Sequence, residues 1–211
     1  MRILKTASLA AAAAILCLVG AGQASAAPVS EQPSAGSVEG PFARFALTAA
    51  QAKSLQAQVD EQLAATSGGK QISQNEVAYD GGDTIMTFSI PGRTGTPPSS
   101  KVAAPDAVAD VRGCPTGTFK DWSCVYEFSN FNENTNGRRL QFHDCGGRDF
   151  DTYNFRDKTS SWVNTQSKEV HVSNFTTSGS LVLLWKEPAQ SQSSSVTPAN
   201  DNKADYLDVR C

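Results

Sequence analysis

The sequence predicts an all-β sandwich for its C-terminal half, and three observations predict it. The first is internal repetition. Ser129-Asn130-Phe131 recurs as Ser173-Asn174-Phe175 at an offset of 44 residues, and Asp157-Lys158-Thr159-Ser160-Ser161-Trp162 is echoed by Asn202-Lys203-Ala204-Asp205-Tyr206-Leu207 at an offset of 45. A shared offset of this size marks one supersecondary unit used twice, too few copies for a solenoid or propeller. The second is alternation: Cys124, Tyr126 and Phe128 alternate with Val125 and Glu127, Leu140 and Phe142 flank Gln141, and Val170 and Val172 flank His171. The third is the absence of a sustained helical period beyond Gly113, with turn residues between short strand-like runs.

From the start of the chain, Arg2 and Lys5 precede an apolar run over residues 7–19, and Ala24-Ser25-Ala26 offers small residues for cleavage. Residues 1–26 therefore read as a signal peptide of a secreted protein, cut after Ala26. The run is too short for a membrane span, and no second long apolar run follows. Residues 27–46, rich in Pro, Ser and Gly, read as a disordered leader. An accessory unit is expected over 47–92. Thr48-Ala49-Ala50-Gln51 is a capping box opening a helix, with Ala52, Leu55, Val59 and Leu63 on one stripe and Ser67-Gly68-Gly69 ending it. A hairpin follows, its strands at Glu76–Tyr79 and 84–90 and its turn at Asp80-Gly81-Gly82-Asp83. Residues 93–112 read as a linker. The unit before it could be a trimmed pro-segment, a docking module or a binding surface. In the remaining domain, 113–211, the continuous apolar run from Leu181 to Trp185 reads as a buried strand, and a last strand is expected near Tyr206 to Val209.

Without Cys17 of the signal, four cysteines remain: Cys114, Cys124, Cys145 and Cys211. An even count in an exported chain favours two disulfides over a zinc site, which would want a close Cys-x-x-Cys pair. Three pairings are possible. Cys114 with Cys124 and Cys145 with Cys211 is the favoured one, the longer loop contributing about 3–4 kcal/mol in the chain-entropy picture. Removing Arg2 and Lys5 leaves 16 basic against 21 acidic residues, a net charge of −5. With the basic residues scattered rather than striped, this argues against a nucleic-acid partner.

Tyr126 and Phe131, followed by Gly137, carry a resemblance to the β/γ-crystallin Greek-key motif, in which an aromatic packs over a folded hairpin and a glycine sits at the fold-over. Two departures stand out: residues 132–136 are inserted before the glycine, and Val170-His171 occupies the second repeat where a tyrosine would match Tyr126. More narrowly, Cys114-Pro115, Asp144-Cys145, the run Asp157-Lys158-Thr159-Ser160-Ser161-Trp162-Val163-Asn164 and the terminal Cys211 resemble peptidase inhibitor family I36. These are secreted bacterial proteins of crystallin-like fold, typified by a metalloproteinase inhibitor. The resemblance covers residues 113–211 and implies a two-motif Greek-key sandwich that acts as a monomeric inhibitor of an extracellular protease, with no enzymatic activity of its own. It identifies no reactive bond here; residues 132–136, Gly146–Asp149 and 191–197 are the candidate loops.

Crystallin-type proteins also use paired Asn/Asp and Ser/Thr runs, one per repeat, to bind calcium. The resemblance places Asp157 and Ser160 of the first run and Asp201, Asn202 and Asp205 of the second in that role, an oxygen-rich set suited to a hard cation. Arg156 and Tyr206 replace family ligands in those runs. The same residues also read as turn formers whose side chains bond local backbone. The alternative function is thus a calcium-stabilised structural or cell-envelope module. The two histidines, His143 and His171, belong to no His-Glu-x-x-His helix or similar catalytic pattern. Trp122, Trp162 and Trp185 read as core residues ahead of a sugar-binding platform.

Overall fold

The computed structural model describes residues 45–100, 110–116 and 122–211, all within one structural unit. The expected signal peptide and almost all of the expected leader lie outside the described residues. Thr48 starts the α-helix α1, Ala49–Ala65, and the capping box forms in both directions: Gln51 N donates to Thr48 Oγ1 at 3.2 Å and Thr48 N donates to Gln51 Oε1 at 3.0 Å. Leu55 and Val59 are buried as the stripe requires, and Gln62 is buried beside them. Its amide donates to Tyr79 Oη (2.9 Å) and to the carbonyl of Tyr153 (2.8 Å), and its oxygen accepts from Arg138 (3.0 Å). A polar residue on the apolar stripe thus ties the helix to the C-terminal half.

Thirteen strands are found among the described residues, all in antiparallel sheets. Three precede the segment expected to be a linker: β1 (Lys70–Ser73), β2 (Glu76–Tyr79) and β3 (Thr84–Phe88). β4 (Asp110–Val111) and β5 (Cys114–Pro115) form a two-residue ladder. The first repeat supplies β6 (Ser123–Tyr126), β7 (Arg138–Phe142), β8 (Gly146–Asp149) and β9 (Ser161–Asn164). The second supplies β10 (Val170–Phe175), β11 (Leu181–Glu187), β12 (Ser191–Ser193) and β13 (Tyr206–Val209). The large sheet runs β1-β2-β3-β7-β6-β9-β12 and the small one β11-β10-β13-β8. The third strand of each repeat has therefore left its own repeat: β8 pairs with β13, and β12 pairs with β9. β3 lies against β7 over five residue pairs, from Thr84 opposite Phe142 to Phe88 opposite Arg138, so the N-terminal hairpin continues the sheet of the first repeat.

Both sheets contribute to one buried core. Val125, Leu140, Phe142 and Trp162 of the large sheet meet Val170, Val172, Leu207 and Val209 of the small one, and Leu55 and Val59 of α1 join the same cluster over the hairpin. Phe142 stacks on Phe150 and meets Tyr153 edge-on, and Tyr153 meets Tyr79 with ring centroids 5.2 Å apart. Tyr153 also donates to Asp80 Oδ2 at 2.7 Å, and burial pushes its phenol up to about 12.

Two strands differ from their expected exposure. The alternation in β6 predicts a half-buried strand, yet all four residues are buried. Val125 faces the inter-sheet core, while Cys124 and Tyr126 belong to a second cluster with Ala78, Ile85, Trp122 and Phe131 on the opposite face. That face carries a polar layer as well. Arg139, fully buried, donates to Pro97 O (3.0 Å), Thr87 Oγ1 (3.1 Å) and Gln141 Oε1 (3.3 Å), and Ser99 Oγ and Ser100 N donate to Glu76 Oε1 at 3.0 and 2.8 Å. Residues 96–100 are thus held on the sheet by hydrogen bonds. The second difference is Leu181 to Trp185. An apolar run does not distinguish a central strand from an edge, and β11 is an edge strand whose Leu181, Val182 and Leu183 are 46, 51 and 48 % exposed.

Gly137 plays a steric role rather than the conformational one its position suggests. A Cβ there would lie 2.6 Å from both Asn132 Oδ1 and a Phe128 ring carbon. The left-handed conformation falls instead on three consecutive residues, Asn130, Phe131 and Asn132, with φ of 52, 56 and 62°. Asn132 anchors this turn by accepting from Phe128 N (2.8 Å) and donating to Arg138 O (2.9 Å) and Thr96 Oγ1 (2.8 Å). The inserted loop is therefore fastened at its root, and only residues 133–136 are exposed. Gly137→Ala is expected to displace the Asn132 amide and cost about 2–3 kcal/mol, the size of an orphaned buried polar group. Urea unfolding at neutral pH measures it; a midpoint equal to that of the parent would show that the turn absorbs a Cβ.

Candidate functional site

The two repeats meet at their paired Asp/Asn runs. Asp157 and Asn202 occupy equivalent positions, and both adopt the left-handed conformation with φ of 54°. Asp and Asn tolerate that region because their short polar side chains bond locally. The crossing is reciprocal: Asp157 N donates to Ala204 O at 3.0 Å, and Asn202 N donates to Thr159 O at 3.2 Å. The next residues repeat the pattern, since Ser160 N donates to Tyr126 O and Asp205 N to Ser173 O. The sequence repeat is thus a local two-fold arrangement in space.

Around this crossing the side chains are unequal. Asp205 is 6 % exposed; its Oδ2 accepts from Phe175 N at 3.0 Å, while its Oδ1 is buried with no hydrogen-bond partner. The hydroxyl of fully buried Thr159 likewise has none. Partial burial and then the facing Asp205 carboxylate hold the Asp157 carboxyl above its ordinary value, against the pull of Arg156 and Lys158. Ser160 Oγ lies 3.5 Å from Asn202 Oδ1. Buried carboxylate oxygens are normally satisfied, so an unpaired one beside a second carboxylate suits a hard cation, whose ligands are carboxylate, hydroxyl and carbonyl oxygens.

Of the five residues expected to hold calcium, Asp157, Ser160, Asn202 and Asp205 are therefore brought together. Asp157 and Asn202 are exposed at the rim of the cluster while Ser160 and Asp205 are buried; Asp201, also exposed, only accepts from Asn202 Nδ2 at 3.3 Å. Thr159 was missed. Its position in the Asn/Asp-x-x-Ser/Thr pattern is the variable one, and only the crossing of the chains turns it inward. Arg156 does not enter the cluster either: it makes a bidentate pair with Asp149, Nη2 donating to Oδ2 at 2.7 Å and Nε to Oδ1 at 3.0 Å, and lies over the Phe175 ring. Tyr206 meets Phe175 edge-on.

The disulfides are Cys114–Cys124 and Cys145–Cys211, the favoured pairing of the three. The first sits in the second cluster, on the face opposite the inter-sheet core; the second fastens the last residue beside the start of β8. Of the three candidate loops, Gly146–Asp149 is not a loop but β8, because β13 offers it a partner. Residues 191–193 are β12, and residues 194–197 leave the sheet with Ser194 O accepting from Asn130 N. Trp122 and Trp162 are buried in different clusters, and Trp185 donates to Glu187 Oε1 at 3.1 Å, so the three share no face as a sugar platform would need. His171 lies 2.6 Å from Glu169, whose carboxyl His171 and Lys186 hold below its ordinary value. Adjacent strand residues point to opposite faces, which separates His143 from Asp144 on paper. β7 ends at Phe142, however, and His143 Nδ1 lies 2.9 Å from Asp144 Oδ1.

No helix among the described residues is long and apolar enough to cross a membrane. No protein-family model, no curated protein and no solved structure matched the chain. The class defined by the fold is a disulfide-bonded protein of antiparallel sheets with, among the described residues, one α-helix.

Proposed function

We propose that this chain is a secreted β/γ-crystallin-type module that inhibits an extracellular peptidase, a metallopeptidase by its resemblance to inhibitor family I36. The observation that carries the reading is the exchange of third strands between two repeats, β8 into the sheet of the second and β12 into the sheet of the first. That exchange, the aromatic pair Tyr126 and Phe131 at 5.6 Å and the glycine closing the turn agree with a paired Greek-key architecture. A scaffold closed by two disulfides presents its loops with little ordering entropy left to lose, which is what tight inhibition requires. Titration of the purified chain against thermolysin-like and subtilisin-like proteases is expected to abolish activity of the metalloprotease at one inhibitor per enzyme. Full activity of both classes at a large molar excess would refute the inhibitory reading.

A second reading, a calcium-stabilised structural or cell-envelope module, is favoured by one observation, the unpaired buried oxygens of Asp205 and Thr159. Ion binding to the folded state alone adds about 2.7 kcal/mol at a hundredfold excess over Kd. Calcium is therefore expected to raise the melting temperature of the chain and to leave that of Asp205→Asn unchanged. An equal rise in both would remove Asp205 from any calcium site. The two readings are compatible, since a bound ion could brace an inhibitor.

A further inference from the structure

We infer that Asp83, His143 and Asp144 form a binding site for a divalent transition-metal ion of the zinc class, which clips the β2–β3 turn to the end of β7. One donor atom from each of the three residues lies within 4.8 Å of the other two. They come from segments 60 residues apart in sequence, and the backbone holds them in place: Thr84 pairs with Phe142, and His143 N donates to Asp83 O at 2.9 Å. On the other side, the Cys145–Cys211 disulfide fastens the residue after Asp144. The imidazole packs on the buried Trp122 ring, centroids 5.2 Å apart, which restricts its orientation.

The donor chemistry selects the ion. One imidazole with two carboxylates suits zinc, cobalt or nickel, whereas calcium and magnesium prefer oxygen alone. Zinc–ligand bonds of about 2.0–2.1 Å place neighbouring donors about 3.3 Å apart in a tetrahedron. The His143 Nδ1 to Asp144 Oδ1 distance of 2.9 Å is close to that edge, and the Asp83 donor lies within 4.8 Å of both. Among the described residues neither carboxylate is paired with a lysine or arginine, and Asp83 makes no side-chain hydrogen bond. Three protein donors leave a fourth position for water or for a donor from another molecule, the arrangement of an open zinc site. The site is made of residues outside the repeat crossing, and its existence does not depend on the inhibitory reading.

The test uses the whole secreted chain, stripped with chelator and titrated with zinc sulfate by calorimetry. Cobalt titration is followed in parallel through tryptophan fluorescence, which the ion would quench at Trp122. The expected result is one zinc per chain with micromolar affinity. Loss of a mere orienting partner weakens metal sites about 10–100-fold, so His143→Ala and Asp83→Asn should each cost at least that. His171→Ala and Asp205→Asn should bind as the parent does. The two ligand substitutions are made separately, and circular dichroism confirms that each variant is folded. Absence of zinc binding in the stripped protein, or binding unchanged in folded Asp83→Asn, overturns the site.

Discussion

Between about pH 4.5 and about pH 8 the protein is expected to lose stability as pH rises, by about 1.4 kcal/mol per pH unit from Glu187 alone. Glu187 closes β11 and is fully buried. Burial pushes its carboxyl up to about 8, against the hydrogen bonds from Trp185 Nε1 and Ser123 Oγ, both 3.1 Å long. In that interval the folded protein holds a proton that the unfolded chain has released, so each step upward favours unfolding. Below it both states are protonated and the contribution is complete; above it both are ionised and the slope from this residue ends. The full effect is of order 4–5 kcal/mol, large against the ordinary stability of a domain. Glu187→Gln keeps an acceptor for Trp185 and has no proton to lose, so its stability should stay level where that of the parent falls. Urea unfolding of both proteins at the two ends of the interval decides the matter: equal declines would move the effect to other groups.

The second large effect is expected at Arg139. Arg139→Met keeps most of the volume and removes every donor from a fully buried guanidinium, leaving Pro97 O, Thr87 Oγ1 and Gln141 Oε1 short of a partner. Each buried acceptor left without its donor costs about 1–3 kcal/mol, more than the net worth of its bond, so the three together should cost at least about 3 kcal/mol. Hydrogen exchange adds a local readout: amides of residues 96–100 should lose protection together with the global midpoint. A variant whose stability falls by under about 0.5 kcal/mol, the size of an ordinary surface substitution, would show that this layer is dispensable.

Much of the local structure was legible in the sequence because it rests on local chemistry. The capping box at Thr48 and Gln51, the hairpin turn at residues 80–83 and the strands β6, β7, β10, β11 and β13 depend on neighbours a few positions away, whereas β8, β9 and β12 were not visible as strands. What could not be read was which partner each strand takes. β3 finds β7 across some fifty residues, and nothing in Thr84–Phe88 names Arg138–Phe142 as its neighbour. The burial of β6 on both faces depends on Cys114, Trp122 and Phe131 closing over its second face, and the exposure of Leu181–Leu183 depends on no strand among the described residues arriving at that edge. The candidate site divides the same way. Asp157, Ser160, Asn202 and Asp205 were visible because the repeat aligns them, whereas Thr159 became visible only through the chain crossing. Asp83 meets His143 only because the hairpin joins the sheet.

The placement of β13 bears on when this chain can fold at all. Tyr206–Val209 lies between β10 and β8, and among the described residues β8 has no other strand beside it. Without residues 206–211, β8 would therefore lack a partner, Cys145 would lack Cys211 and the small sheet would be split. The architecture makes residues 206–211 a precondition for closing the small sheet, so a variant lacking them should behave as unfolded protein rather than as a shortened functional form.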